Sequence, residues 1–193
     1  MSSISRQRIL AIAPSTRHLG FAAFDGEELV GFGVKAFEGR GNNEGRLLAK
    51  IERSLDRLVE RHAPRILAVE EVFYAQASLS PALRRLVVRL KRWGRERGMR
   101  VVSFPPTAVK DRLCQGKRTR RTLAEAMVRR FWFLYSFLKP GRTGHYWQQM
   151  FDAVALGAVT VDDAKQAEAV RRPKMKGALT PLRAIPSTAV AVR

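Results

Sequence analysis

Short apolar runs bounded by turn residues mark the strands of this chain. The first run is branched and ends at Pro14-Ser15, as a buried strand does. The second and third runs flank Asp25-Gly26, which is a hairpin signal. The fourth is apolar throughout, which favours a central parallel strand. We predict strands at residues 8–13, 20–24, 29–37, 66–69 and 101–104.

Apolar residues recur at helical spacing in four other segments. Between Leu47 and Val59 they predict an amphipathic helix that ends before Pro64. A second helix begins near Pro81, which suits a first helical turn, and carries leucines opposite arginines. The last two span about 122–133 and 146–161. Three strands followed by alternating helices and strands predict an α/β domain with a mixed five-stranded sheet flanked by helices.

The pattern changes near Lys165, where apolar periodicity ends and prolines interrupt a stretch of Arg, Lys, Ala and Thr. We therefore expect a domain at residues 1–164 and a basic, disordered tail at 165–193.

The charge balance narrows the function. The 36 Lys and Arg outnumber the 17 Asp and Glu, giving a formal net charge of +19. A domain this basic favours a polyanion as its partner, and nucleic acid and anionic membrane are the usual candidates. The apolar runs are too short to span a bilayer, so we expect no membrane association. The single cysteine, Cys114, fits a reducing compartment, and we expect a cytoplasmic protein.

Two acidic residues are placed where a metal site would need them. Glu70 follows the apolar strand 66–69, at the carboxyl end of a central strand, where sheets of this kind usually bind ligands. Asp152 precedes an apolar stretch on the last helix. A buried carboxylate needs a partner, and a divalent cation is a natural one. The alternative is that Glu70 is solvated at the strand end and Asp152 lies on the helix surface.

Three segments decide between these alternatives. They are Ile9–Phe21, with Ala13-Pro14-Ser15 at its centre, then Ala68–Phe73, and finally Phe151–Leu156. Their order and spacing resemble the RuvC family of Holliday-junction resolvases. The resemblance covers about residues 8–162. It implies an RNase-H-like fold and a homodimeric endonuclease that resolves four-way (Holliday) or branched DNA. It also implies two-metal phosphodiester hydrolysis with Mg²⁺ ions ~4 Å apart, Mn²⁺ being possible.

The resemblance assigns roles to individual residues. Glu70 and Asp152 correspond to metal ligands, and Phe73 corresponds to an aromatic side chain that stacks on an unpaired base, although core packing is the alternative. The basic segment near residue 120 corresponds to the contacts with the scissile phosphates, with Lys117 also counted as catalytic; solvated charge is the alternative. The residues are Lys117, Arg118, Arg120 and Arg121. Neutralising Lys117 and Arg118 is expected to weaken binding or cutting.

The chain departs from the family pattern at two positions. Ala13 stands where the family has its first aspartate, and a methyl group cannot coordinate a metal. Gln149 stands where the family has Asp or His, and its carbonyl is a weaker ligand. His145 lies two helical turns before Asp152 and could substitute, although a surface histidine is the simpler interpretation.

Two explanations cover Ala13. Either an aspartate was replaced to trap an uncleaved complex, or the protein has lost nuclease activity. We favour replacement, because Glu70 and Asp152 retain the pattern of an active member. The leading hypothesis is therefore an endonuclease that is inactive as written. The alternative is a catalytically dead protein that binds branched nucleic acid. The catalytic domain of a transposase or an RNA-guided effector is a third hypothesis, which the short chain disfavours.

Overall fold

The computed structural model describes residues 7–37, 44–71, 81–138 and 145–171. Five strands and five α-helices, with one 3₁₀ helix, follow each other along this part of the chain. Their bounds are β1 Arg8–Pro14, β2 His18–Asp25, β3 Glu28–Ala36, α1 Glu44–His62, β4 Ile66–Glu70, α2 Pro81–Glu96, β5 Arg100–Phe104, α3 Pro106–Leu113, α4 Arg120–Arg130, the 3₁₀ helix Trp132–Phe137 and α5 His145–Arg171.

The five strands form one mixed sheet in the order β3-β2-β1-β4-β5. The first three form an antiparallel meander, in which a turn after Asp25 joins β2 to β3 and Gly26 adopts a φ of 62°. Strand β4 pairs with β1 in parallel and β5 pairs with β4 in parallel. The predicted mixed five-stranded α/β sheet is therefore confirmed.

Side chains of the central strands alternate between two cores. Ile9, Ala11 and Ala13 of β1 point towards α5, and Leu10 and Ile12 point towards α1 and α2. This two-residue alternation follows from the pleat of a strand. Because β1 is buried on both faces, its sequence is an uninterrupted apolar run.

The structure corrects the prediction at three helices. Helix α3 was not predicted; it begins at Pro106, and proline suits the first turn of a helix. Helix α4 begins at Arg120 rather than about Thr122, with Thr119 as its N-cap. Helix α5 continues to Arg171, about ten residues beyond its predicted end.

Ion pairs support the unpredicted extension of α5. Arg130 of α4 donates two hydrogen bonds to Asp162, at 2.8 and 2.9 Å, and Arg112 of α3 donates one to Asp163 at 2.6 Å. These partners are far apart in sequence, so a local pattern does not reveal them. The remainder of the predicted tail, residues 172–193, lies outside the described residues. None of the described helices has the length and apolar character needed to cross a bilayer.

Candidate active site

A cleft of about 380 Å³ opens at the end of the sheet where β1 and β4 terminate. The two strand ends contribute Ser15 and Glu70. Helices α3, α4 and α5 contribute polar side chains to the same cleft, and these are Lys110, Arg120, Gln149 and Asp152. Carboxyl ends of adjacent parallel strands are the usual ligand crevice of such a sheet. The sequence-predicted residues Glu70, Arg120, Gln149 and Asp152 therefore lie together.

Strand register brings residue 13 beside Glu70. Ile12 pairs with Val69 in the parallel ladder, so Ala13 and Glu70 are the next positions along two neighbouring strands, about 4.8 Å apart. Ala11 and Ala68 lie two residues before them on the face of the sheet that packs against α5. Because side chains two residues apart in a strand point to the same side, Ala13 and Glu70 share that face. Ala13 is fully buried. A side chain longer than alanine at residue 13 would extend towards α5, which carries Asp152.

Gly20 allows α5 to approach the sheet closely at this point. It pairs with Ala13 across β1 and β2, and a Cβ at residue 20 would lie 1.8 Å from the backbone oxygen of Gln149. Backbone atoms cannot give way without moving the helix. The glycine therefore sets the depth at which Gln149 and Asp152 meet the strand ends.

We expect Gly20→Ala to displace the start of α5 and to lower stability by about 2 kcal/mol, in the range of overpacked cores. A shift of about 1 Å in a catalytic group can cost roughly 100-fold in rate. Thermal unfolding and the cleavage rate of a cutting-competent form would measure both effects. Gly98→Ala is the matched control, because Gly98 has a φ of 71° but open space around it, so it should lower stability without moving α5. Equal rate losses in both variants would contradict the assignment.

Both carboxylates have a raised pKa in this cleft. Burial, and after it the nearby charge of Asp152, raise the pKa of Glu70 to about 8, against the lowering effect of Lys110 and Arg120. Burial also raises the pKa of Asp152, while a hydrogen bond from Gln148 and the same two cations oppose the rise. Such a crowded pair of carboxylates is the electrostatic setting that a bound cation relieves.

The neighbouring amides complete a set of oxygen donors. Buried Gln148 donates from Nε2 to Asp152 Oδ1 at 2.8 Å and so orients that carboxylate. The Oε1 atom of Gln149 is buried without a hydrogen-bond partner. An orphaned carbonyl oxygen beside two carboxylates suits a hard divalent cation. In the described segments, however, no group of three or more His, Cys, Asp or Glu side chains is placed to hold a metal.

The basic residues predicted as one block are separated by the structure. Of the four, Arg120 lines the cleft. Arg118 pairs with Asp111 at 2.7 Å and Arg121 with Glu125 at 2.9 Å, both on the surface. Lys117 is also exposed, and its carbonyl oxygen accepts a hydrogen bond from Thr122 Oγ1.

Lys110 is the site residue that the sequence interpretation missed. It lines the cleft, and its positive charge lowers the pKa of both Glu70 and Asp152. Its signal in the sequence was weak, since α3 buries only Val109 and shows little amphipathic pattern. Phe73 lies outside the described residues, as does the side chain of His145.

Fold and cleft together define a nuclease-like α/β domain with paired carboxylates at the ends of two parallel strands. The family model for "Crossover junction endodeoxyribonuclease RuvC" matches residues 9–160, so the chain belongs to the RuvC family.

Individual relatives agree with this assignment. RuvC of Synechococcus sp. (strain CC9311) is 26% identical over 137 residues, covering 63% of this chain and 82% of the relative. RuvC of Sorangium cellulosum (strain So ce56) is 30% identical over 131 residues, covering 63% and 70%. The structure of T. thermophilus RuvC in complex with a Holliday junction substrate has a TM-score of 0.62 at 18% identity. That match covers 83% of this chain and 96% of the other, and it shows the same fold.

Proposed function

We propose that this chain binds four-way DNA junctions through the cleft and, when residue 13 carries a carboxylate, hydrolyses phosphodiester bonds there. One observation supports the proposal: in the register of β1 and β4 residue 13 is the next position beside Glu70, and Glu70 and Asp152 line one cleft where α5 approaches the sheet closely. Family membership supplies the reaction class, since the family model is that of a crossover junction endodeoxyribonuclease.

Nucleases of the RuvC type generally use divalent metals, and we propose Mg²⁺ for this chain, with Mn²⁺ as a substitute. Such ions stabilise the charge that develops on a phosphodiester during hydrolysis. Glu70 and Asp152 would hold the cation, Gln148 would orient Asp152, and the free Oε1 of Gln149 would add a neutral ligand. Lys110 and Arg120 would attract the scissile phosphate and offset its charge.

The donors present fit one cation better than two. Three carboxylates line the described cleft, and one of them, Glu71, pairs with Lys91. The other two, Glu70 and Asp152, face two cations, Lys110 and Arg120, so the cleft has little net negative charge to bind a second ion. Ala13 offers no ligand atom. We therefore propose that the chain binds junctions but does not cut them as written. A homodimer would present one cleft to each of two symmetry-related strands of a junction.

A binding comparison tests the proposal directly. A fluorescent four-way junction and a linear duplex of the same length and sequence would be titrated with the protein in Mg²⁺ and in EDTA. We expect tighter binding to the junction, and cuts on two opposed strands only after Ala13→Asp. Equal affinity for junction and duplex would refute the assignment of branched DNA as the substrate.

Two pairs of substitutions compare the role of the exposed residues Lys117 and Arg118 with that of the cations in the cleft. We expect Lys110→Gln with Arg120→Gln to lower the cleavage rate of the Ala13→Asp form about 100-fold or more. This is the size of the effect of losing a stabilising charge at a reacting phosphate. Lys117→Gln with Arg118→Gln should weaken binding about tenfold, because contacts of exposed cations with phosphates position the DNA backbone. The effect should stay moderate because Arg118 already pairs with Asp111. Single-turnover rates and dissociation constants would separate the two. Equal rate losses at saturating protein would contradict this division.

A further inference from the structure

Helix α1 carries a row of cations that lack the partners found elsewhere. Two of its acidic residues pair with arginines of the next helical segment: Glu52 accepts from Arg89 of α2 at 2.6 Å, and Asp56 pairs with Arg97, which directly follows α2. Lys50, Arg53 and Arg57 follow one another at spacings of three and four residues, so they share one exposed face of the helix. These three cations have no ion pair or hydrogen bond to any other described side chain.

The same three cations line one groove. It has a volume of about 760 Å³, lies between α1 and the end of β3, and includes Lys35. Two carboxylates also line it, Asp56, which Arg97 engages, and Glu60. Four cations thus face one carboxylate that is not already paired with an arginine. Like charges at helical spacing repel each other by a few tenths of a kcal/mol per pair. An anion bound in the groove would relieve this repulsion.

The groove, which we call the α1 groove, opens at the same end of the sheet as the cleft. Strand β3 runs parallel to β1, since both are antiparallel to β2, and its end at Ala36 pairs with His18. The turn between β1 and β2 joins the two regions: Ser15 lines the cleft, and the Phe37 amide donates to the Arg17 carbonyl at 2.9 Å. Exposed Arg17 lies between them. A polyanion leaving the cleft past this turn would therefore meet further positive charge.

We infer that the α1 groove binds the phosphate backbone of a duplex arm that leaves the junction. This inference rests on the proposed function, and it adds a second contact surface on the opposite face of the sheet from α5. The partner is DNA backbone rather than bases. Among the described residues that line the groove, the one aromatic side chain, Phe37, packs against the core, and there is no Asn or Gln. Lys and Arg in such a setting give phosphate contacts and no sequence reading. Lys35 extends the row along β3, with its ammonium 5.7 Å from the centre of the Phe21 ring.

Salt dependence tests the inference. The triple variant Lys50→Gln, Arg53→Gln, Arg57→Gln would be compared with the unsubstituted chain on a long-armed junction across a range of salt concentrations. Each lost phosphate contact lowers the slope of log affinity against log salt by about 0.9. We expect a slope smaller by about 2 to 3 and affinity about tenfold weaker at about 0.1 M salt. In an ethylation-interference experiment, ethylating certain phosphates on one arm, away from the branch point, should weaken binding by the unsubstituted chain. The same modifications should not affect binding by the variant.

A matched variant controls for total charge. Arg61, Arg65 and Arg100 are exposed at the opposite end of the sheet, where β4 and β5 begin, and changing all three to Gln removes the same charge. This control should keep the slope of the unsubstituted chain. An unchanged slope in the groove variant, or an equal change in the control, overturns the inference. Failure of the proposed function would instead appear in the unsubstituted chain, as equal affinity for junction and duplex.

Discussion

Ala13→Asp is expected to convert the chain into a junction-cutting enzyme with paired cuts on opposed strands. The new carboxylate would extend from the end of β1 on the face that carries Glu70 and lies beneath α5, giving the three-carboxylate set that the described residues lack. Transition-state stabilisation by a metal is worth several kcal/mol, and each 1.36 kcal/mol is tenfold in rate. We expect at least about 1,000-fold faster cleavage, measured in single turnovers with Mg²⁺ or Mn²⁺.

Cation binding separates this outcome from a general change in the cleft. Three carboxylates around one point should bind a divalent cation more tightly, and a ligand at about 100 times its Kd stabilises a fold by roughly 2.7 kcal/mol. The Ala13→Asp form should therefore gain several degrees in unfolding temperature with Mn²⁺, and the unsubstituted chain much less. Ala13→Asn is the isosteric control without the charge. An Asp form that folds, binds junction and cation, and still does not cut would favour the alternative of a protein that only holds branched DNA.

The sequence predicted the sheet well because its signals are local. Branched apolar runs, the Asp25-Gly26 hairpin and the two-residue alternation each act within a few residues, and the β1–β2–β3 meander follows from them. Glu70 and Asp152 became candidates for a similar reason, since each carboxylate directly adjoins an apolar run that must be buried. That local pattern left solvated carboxylates as an alternative, and the resemblance to the RuvC family was needed to choose a metal site.

The parts that sequence reasoning missed depend on contacts across long separations. Lys110 reaches the carboxylates only because α3 folds beneath α5, and nothing in residues 106–113 marks that position. Arg118 and Arg121 looked equivalent to Arg120, but Arg120 lines the cleft, whereas the other two pair with Asp111 and Glu125 on the surface. The depth of α5 over β2 depends on Gly20 meeting Gln149, 129 positions later, which no local pattern encodes.

Glu70→Gln is expected to stabilise the metal-free protein above neutral pH while abolishing the cation response. The carboxyl of Glu70 has a pKa of about 8 in the folded chain, against 4.5 as its ordinary value. The folded state therefore binds this proton more tightly than the unfolded state does. Its stabilising contribution is complete below pH 4.5 and is lost as the pH rises through about 8. Above that pH the folded protein holds a buried, crowded charge that Gln does not carry.

At 1.36 kcal/mol per unit of pKa, the gain at pH 9 is on the order of 3 kcal/mol after allowance for the partial exposure of Glu70 at the cleft. For a chain of this length that corresponds to about 8 °C in unfolding temperature. Melting curves in EDTA between pH 5 and 9 would measure it, and the two proteins should converge as the pH falls. Glu71→Gln is the matched control: Glu71 also lines the cleft but is more exposed and pairs with Lys91 at 3.0 Å, so its loss should change stability by under about 1 kcal/mol. A pH-independent difference between Glu70→Gln and the unsubstituted chain would mean that the buried charge of Glu70 is not what strains the metal-free cleft.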